Sequence, residues 1–246
     1  MKKLIPAQIA LRKHATKANK KTNEWFFKTG PGQYGHGDEF IGVKVPKTRL
    51  VAKAFADLSL TEIKILLDSP VHEDRLLGVI LLRIQYEKAV KKNDLKIQKT
   101  IFNFYLKNKS RVNNWDLVDS SAPYLTGHFI FHTPNAQKKI FSLIHSKNMW
   151  DRRIAILSTF YFIRQNHFNP TIELARILLK DEEDLMHKAS GWMLREMGKK
   201  DVEELIKFLD QYSSQMPRTM LRYAIEKFPE KMRLSYLKKP SMITSK

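Results

Sequence analysis

Trp115 and Asp119 stand four residues apart, so a helix that contains both places an indole and a carboxylate on one side. On such a helix Leu117, Val118, Ser121 and Leu125 point one way, and Trp115, Asp119, Ala122 and Thr126 point the other. Asp116 lies in the first turn, where a carboxylate suits the helix dipole. Asp119 lies one turn deeper, where that explanation weakens. A carboxylate there can stabilise a developing cation and orient a water, and an aromatic face beside it attracts positive charge. Farther along, Met186, Ala189, Met193 and Met197 define a core side, while Lys188, Trp192, Arg195 and Lys199 gather within about 60° on another. A tryptophan among cations suits stacking on a base or sugar while the cations meet phosphates; the alternative is packing against the next helix pair. Arg153 heads a helix that is apolar on most sides, and a buried guanidinium needs an anion. Asp119 from a neighbouring pair and a DNA phosphate are both candidates. Arg218 and Arg222, also four apart, extend the basic track.

Other chemistries find less support. His128 and His132 have metal-ligand spacing, but Phe129-Ile130-Phe131 between them lacks the glutamate of a zinc-hydrolase helix, so no metal site is expected. Tyr161 and Gln165 read as core and helix end. The segment from Gly30 to Asp38 holds four of the nine glycines. It reads either as a flexible connector or as a loop that brings backbone N–H groups and Tyr34 to a phosphate chain. Cysteine is absent, which excludes disulfides, thiolate nucleophiles and cysteine-ligated zinc. There is no phosphate-binding lysine loop, kinase set or nucleophilic serine elbow.

The elements that must carry these residues are helices. Alternating strand patterns are nearly absent, and helical periodicity recurs with start and stop signals. Ser59-Leu60-Thr61-Glu62 reads as a capping box, and Ser69-Pro70 as the start of a longer helix with proline at its first position. Further helices are expected at 95–108, 114–131, 136–146, 149–165, 171–180, 183–198, 201–212 and 216–228, after one or two basic helices in 1–29. The second helices of successive pairs begin near 70, 114, 149, 183 and 216, spaced by about 44, 35, 34 and 33 residues. That period predicts an all-α fold, an α-solenoid or superhelix of HEAT-like pairs with a concave basic groove. It forms a single helical-repeat domain over 1–246: N-terminal helices and a Gly-rich loop in 1–58, stacked pairs in 59–237, and a tail in 238–246. Forty-four Lys and Arg against 25 acids give a formal charge of +19, which points to a polyanion partner, foremost nucleic acid. No run approaches the roughly 18 apolar residues of a membrane span, and the N-terminus lacks a signal-peptide cleavage site. A cytoplasmic, nucleoid-associated protein is expected.

Asn113-Asn114-Trp115-Asp116-Leu117-Val118-Asp119, Trp150-Asp151-Arg152-Arg153-Ile154-Ala155-Ile156 and Lys188-Ala189-Ser190-Gly191-Trp192-Met193-Leu194-Arg195-Glu196 resemble core segments of the DNA alkylation repair family, the AlkD-like glycosylases. Gly37–Pro46 and Pro217–Ala224 also fit, and the resemblance runs from about residue 20 to 237. It implies hydrolysis of the N-glycosidic bond of N3- and N7-alkylated purines in double-stranded DNA, without metal or organic cofactor. It also implies that Asp119 is the essential carboxylate, that Trp115 and Trp192 contact the lesion-bearing nucleotide, and that Arg153 holds the backbone nearby. Lys188 and Arg195 would contact phosphates, joined by Arg218, Arg222, Tyr34 and Lys44. Lys44 stands where some members carry an uncharged polar residue. A monomer with no obligate protein partner is expected. Two other readings stay open: a non-catalytic HEAT-repeat protein that binds branched or distorted DNA, and a protein–protein scaffold.

Overall fold

Ser59 and Glu62 cap each other's backbone N–H groups in the computed structural model, which describes residues 4–238. This is the reciprocal pattern that a Ser-x-x-Glu start predicts. The described residues are helical and contain no strand. The helices are α1 (Pro6–Arg12), α2 (Lys17–Phe26), α3 (Val45–Ala54), α4 (Leu60–Asp68), α5 (His72–Lys91), α6 (Leu95–Lys107), α7 (Trp115–Ser121), α8 (Thr126–His132), α9 (Gln137–Phe141), α10 (Met149–Arg164), α11 (Asn169–Ile177), α12 (Asp184–Lys200), α13 (Val202–Tyr212), α14 (Arg218–Ala224) and α15 (Glu230–Lys238). Beyond Lys238, the expected tail lies outside the described residues. No described helix is long and apolar enough to cross a membrane.

Contacts gather into two compact units, Met1–Ser121 and Ala122–Lys246. In the first, α5 is central: α3, α4, α6 and α7 all pack against it, and Leu77, Val79, Leu81 and Leu82 are fully buried. In the second, α8, α10, α12 and α14 pack in that order, α11 lies against α10 and α12, and α13 lies against α12. Two glycines permit the closest approaches. A Cβ on Gly127 would lie 2.4 Å from the Ser158 carbonyl oxygen, and one on Gly191 would lie 2.5 Å from that of Met220. No larger residue fits either crossing without moving a helix.

Prolines account for two departures from the sequence reading. The expected helix 114–131 is two helices, α7 and α8. Pro123 has no N–H to give the Asp119 carbonyl, and its ring crowds that group, so the helix stops at Ser121. Ala122 and Thr126 are accordingly buried, not aligned outward with Asp119. The expected helix start at Pro70 is also displaced. Val71 is extended and bridges Glu39, with the His72 N–H donating to the Glu39 carbonyl at 2.8 Å. Pro70 therefore lies in the approach to α5, which begins at His72.

Candidate functional site

Asn114 sets the start of α7. Its side-chain oxygen accepts the Trp115 N–H at 2.8 Å, and its amide donates to Asp38 Oδ2 at 3.0 Å. Leu117 and Val118 are fully buried, while Trp115 and Asp119 are half-exposed. Ser121 closes the helix with hydrogen bonds to the Leu117 carbonyl and the Tyr105 hydroxyl. The opposed faces expected for residues 115–121 are thus present. The Trp115 ring stacks on Phe27 at 5.2 Å and 11°, and meets Phe26 edge-on at 5.8 Å. Phe27 in turn stacks on Phe40 at 5.0 Å. The end of α2 and the segment after the glycine loop therefore form the platform behind the indole.

Beneath α7 lies a polar network that reasoning from the sequence missed. His72 Nδ1 is 2.9 Å from Asp38 Oδ2, and its Nε2 is 2.9 Å from Asp116 Oδ2. Arg75 donates to Asp38 Oδ1 at 2.5 Å and to the carbonyls of Ser69 and Pro70. His72 and Arg75 are 1% and 2% exposed. Burial works against an imidazolium here, but the Asp116 charge and the hydrogen bonds to Asp116 and Asp38 outweigh it, and the repulsion of Arg75 as well. The His72 pKa is pushed up to about 9. Burial likewise opposes ionisation of Asp38, yet His72, Arg75 and Asn114 hold its carboxyl below the ordinary range. His72 at pH 7 is therefore a cation clamped between two carboxylates. Asp116, which the sequence explains by the helix dipole alone, holds α7 to α5.

Glu73 and Asp74 complete this end of α5. One carboxylate accepts the N–H groups of Ile41, Gly42 and Val43 at 3.1, 2.8 and 3.2 Å. The other binds Gln8, Arg12 and Ser69. The signal that could have found the network is His72-Glu73-Asp74-Arg75, four ionisable residues in a row at the start of an apolar helix. One helix turn cannot turn four consecutive side chains to water when the surrounding helices cover it.

The second unit carries the other candidates. Arg153 is 4% exposed and donates to the Leu185 carbonyl at 2.7 Å, which ties α10 to the start of α12. Met186, Ala189, Met193 and Met197 are buried as expected. Trp192 is half-exposed; its N–H donates to Glu196 at 3.1 Å and its ring lies 6.2 Å from Phe160. The cations around it have acidic neighbours that a helical wheel does not show. Lys188 pairs with Asp184 at 2.7 Å, Lys199 with Glu196 at 2.7 Å, and Arg195 with Glu196 and Glu226. Arg218 and Arg222 are exposed, and Arg218 donates to the Leu237 carbonyl.

In the first unit Lys44 is exposed at the start of α3, and the Tyr34 hydroxyl donates to the Phe26 carbonyl at 3.3 Å, which links the glycine loop to the aromatic platform. Next to Phe26, Trp25 is 80% exposed, an aromatic surface the sequence reading did not single out. A cavity of about 600 Å³ in the second unit is lined by Phe131, Phe162, His167 and Asp201, among others, and by none of the candidate residues. The structure thus brings Trp115 and Asp119 together on α7, and Arg153 and Trp192 onto the packed helices α10 and α12.

Comparison with known proteins adds an independent finding. The sequence profile of a family described as "DNA alkylation repair enzyme" matches residues 7–228. A solved structure described as "Predicted DNA alkylation repair enzyme from Enterococcus faecalis" superposes with a TM-score of 0.68 at 16% identity, over 88% of this chain and 98% of that one. At that identity the likeness shows the fold. No curated protein matches the sequence. The family profile spans nearly the whole chain, including every residue discussed above from Lys44 to Arg222, and the chain belongs to the DNA alkylation repair enzyme family.

Proposed function

We propose that this protein is a DNA glycosylase that hydrolyses the N-glycosidic bond of N3- and N7-alkylated purines in double-stranded DNA. Alkylation at N3 or N7 leaves the purine positively charged, so the C1′–N bond breaks with its electron pair going to the base, which departs neutral. The sugar left behind has oxocarbenium character. Asp119 stabilises that cation and orients the water whose oxygen bonds to C1′, and the released proton passes through the carboxylate to solvent. Water is the only co-reactant.

Trp115 and Trp192 contact the lesion-bearing nucleotide, and Arg153 steadies the backbone beside it. Lys188, Arg195, Arg218, Arg222, Tyr34 and Lys44 meet phosphates. The protein acts as a monomer in the cytoplasm, on its HEAT-like helix pairs.

The observation that carries this reading is α7 itself. A half-exposed acid and a half-exposed indole share its outer side, and a ring stack and a buried ion cluster fix the helix from below. A surface built for phosphate binding alone has no use for an acid at that position. The charge of +19 supplies the attraction to DNA. The exposed pair of Lys188 with Asp184 costs little to exchange for a phosphate.

The test is release of free base from methylated duplex DNA by the purified chain, with unmethylated duplex as the control. Time-dependent release of 3-methyladenine or 7-methylguanine supports the proposal. Salt-sensitive binding without release from any alkylated duplex overturns the catalytic reading and leaves a DNA-binding repeat protein.

A further inference from the structure

His128 and His132 project from adjacent turns of α8, and α10 brings Tyr161 to the same place. Gly127 makes this approach possible: a Cβ there would lie 3.0 Å from Tyr161 Cβ. The contact is fixed one residue earlier, where Thr126 and Ser158 share a hydrogen bond of 2.5 Å. The two imidazole centroids are 4.5 Å apart, and the phenol ring lies 5.0 Å from His128 and 5.9 Å from His132. His132 Nε2 is 3.3 Å from the Tyr161 hydroxyl oxygen. Two imidazoles that share one metal at about 2.0–2.1 Å have centroids roughly 4.5–5 Å apart, so the pair already has the spacing of neighbouring ligands.

We infer that His128, His132 and Tyr161 form a binding site for a borderline transition-metal dication, Cu²⁺ above all, that clips α8 to α10. Two neutral nitrogens and a phenol oxygen suit this class, and a site without carboxylates offers little to Mg²⁺ or Ca²⁺. Cu²⁺ stands highest in affinity among first-row dications for such donors. Binding forms two N–Cu bonds and one O–Cu bond. The phenol proton goes to solvent, and no electron is transferred. The site is independent of base excision.

The test is calorimetric titration of Cu²⁺ into the full chain, free of any affinity tag, with glycine as a weak competing chelator, alongside paramagnetic resonance spectra. His132 is exposed, so His132→Ala keeps the fold, and Tyr161→Phe removes only the phenol oxygen. The wild type is expected to take up one ion per chain, release about one proton per ion, and show nitrogen hyperfine structure. His132→Ala should weaken binding at least about 100-fold, and Tyr161→Phe about 10-fold with loss of the phenolate-to-copper absorption. Equal affinity of His132→Ala and wild type overturns the site. Unchanged affinity and absorption in Tyr161→Phe overturns the three-donor arrangement.

Discussion

Replacing His72 by Gln removes the cation held between Asp38 and Asp116 and leaves a similar volume. The size of the effect follows from the pKa of about 9 against the ordinary 6.5. Two and a half units correspond to roughly 3 kcal/mol of preference for the charged form in the folded state. Because the folded pKa is raised, this stabilisation is complete below pH 6.5 and disappears as pH rises through 9. Most of it is still present at pH 7, and almost none by pH 10. The groups that face the imidazole are Asp38, Asp116 and Arg75. Without the imidazolium, Arg75 alone balances two buried carboxylates, so a loss of about 3 kcal/mol also matches the usual cost of breaking a buried pair. Urea unfolding at pH 7, 8, 9 and 10 measures it. The wild type should lose stability steeply across this range, while His72→Gln starts lower and shows a much flatter profile. The two curves should converge near pH 10. Parallel curves, or a variant within about 0.5 kcal/mol of the wild type at pH 7, would refute the charged clamp.

Three further substitutions probe the rest of the scaffold and its surface. Gly191→Ala drives a methyl against the Met220 carbonyl and Tyr223, and should cost about 1–3 kcal/mol in a denaturation midpoint. Glu73→Gln keeps the shape but removes the charge that accepts three consecutive N–H groups, and should cost about 2–3 kcal/mol by the same measurement. Trp25→Ala should leave stability within about 0.5 kcal/mol, because the ring is 80% exposed, yet should weaken duplex binding measured by fluorescence anisotropy.

Local signals were legible in the sequence wherever one helix turn contains both partners. The Ser59–Glu62 box, the methionine side of α12 and the outward pairing of Trp115 with Asp119 are all present. Partners far apart in sequence were not legible. His72 and Asp116 are 44 residues apart, and nothing at either position names the other. The clamp was hidden for a second reason: a carboxylate in a first helical turn already has a sufficient local explanation. Arg195 shows the same limit. Its wheel position among cations predicts an open basic face, but Glu226, in the turn just after α14, meets it there. Pro123 was misread because apolar periodicity continues on both sides of it, and only the missing N–H reveals the break. Pro70 suits a first helical turn equally well from sequence, and the bridge between Glu39 and Val71 decides otherwise.

The central claim concerns one carboxylate, and single-turnover excision by Asp119→Asn tests it most directly, with enzyme in excess over a duplex bearing a single 7-methylguanine. The account predicts a rate about 10²–10³-fold below wild type, as for loss of one electrostatic group aimed at the reacting centre, with duplex affinity changed less than about 3-fold. An Asp119→Asn enzyme that excises the base at the wild-type rate would contradict it.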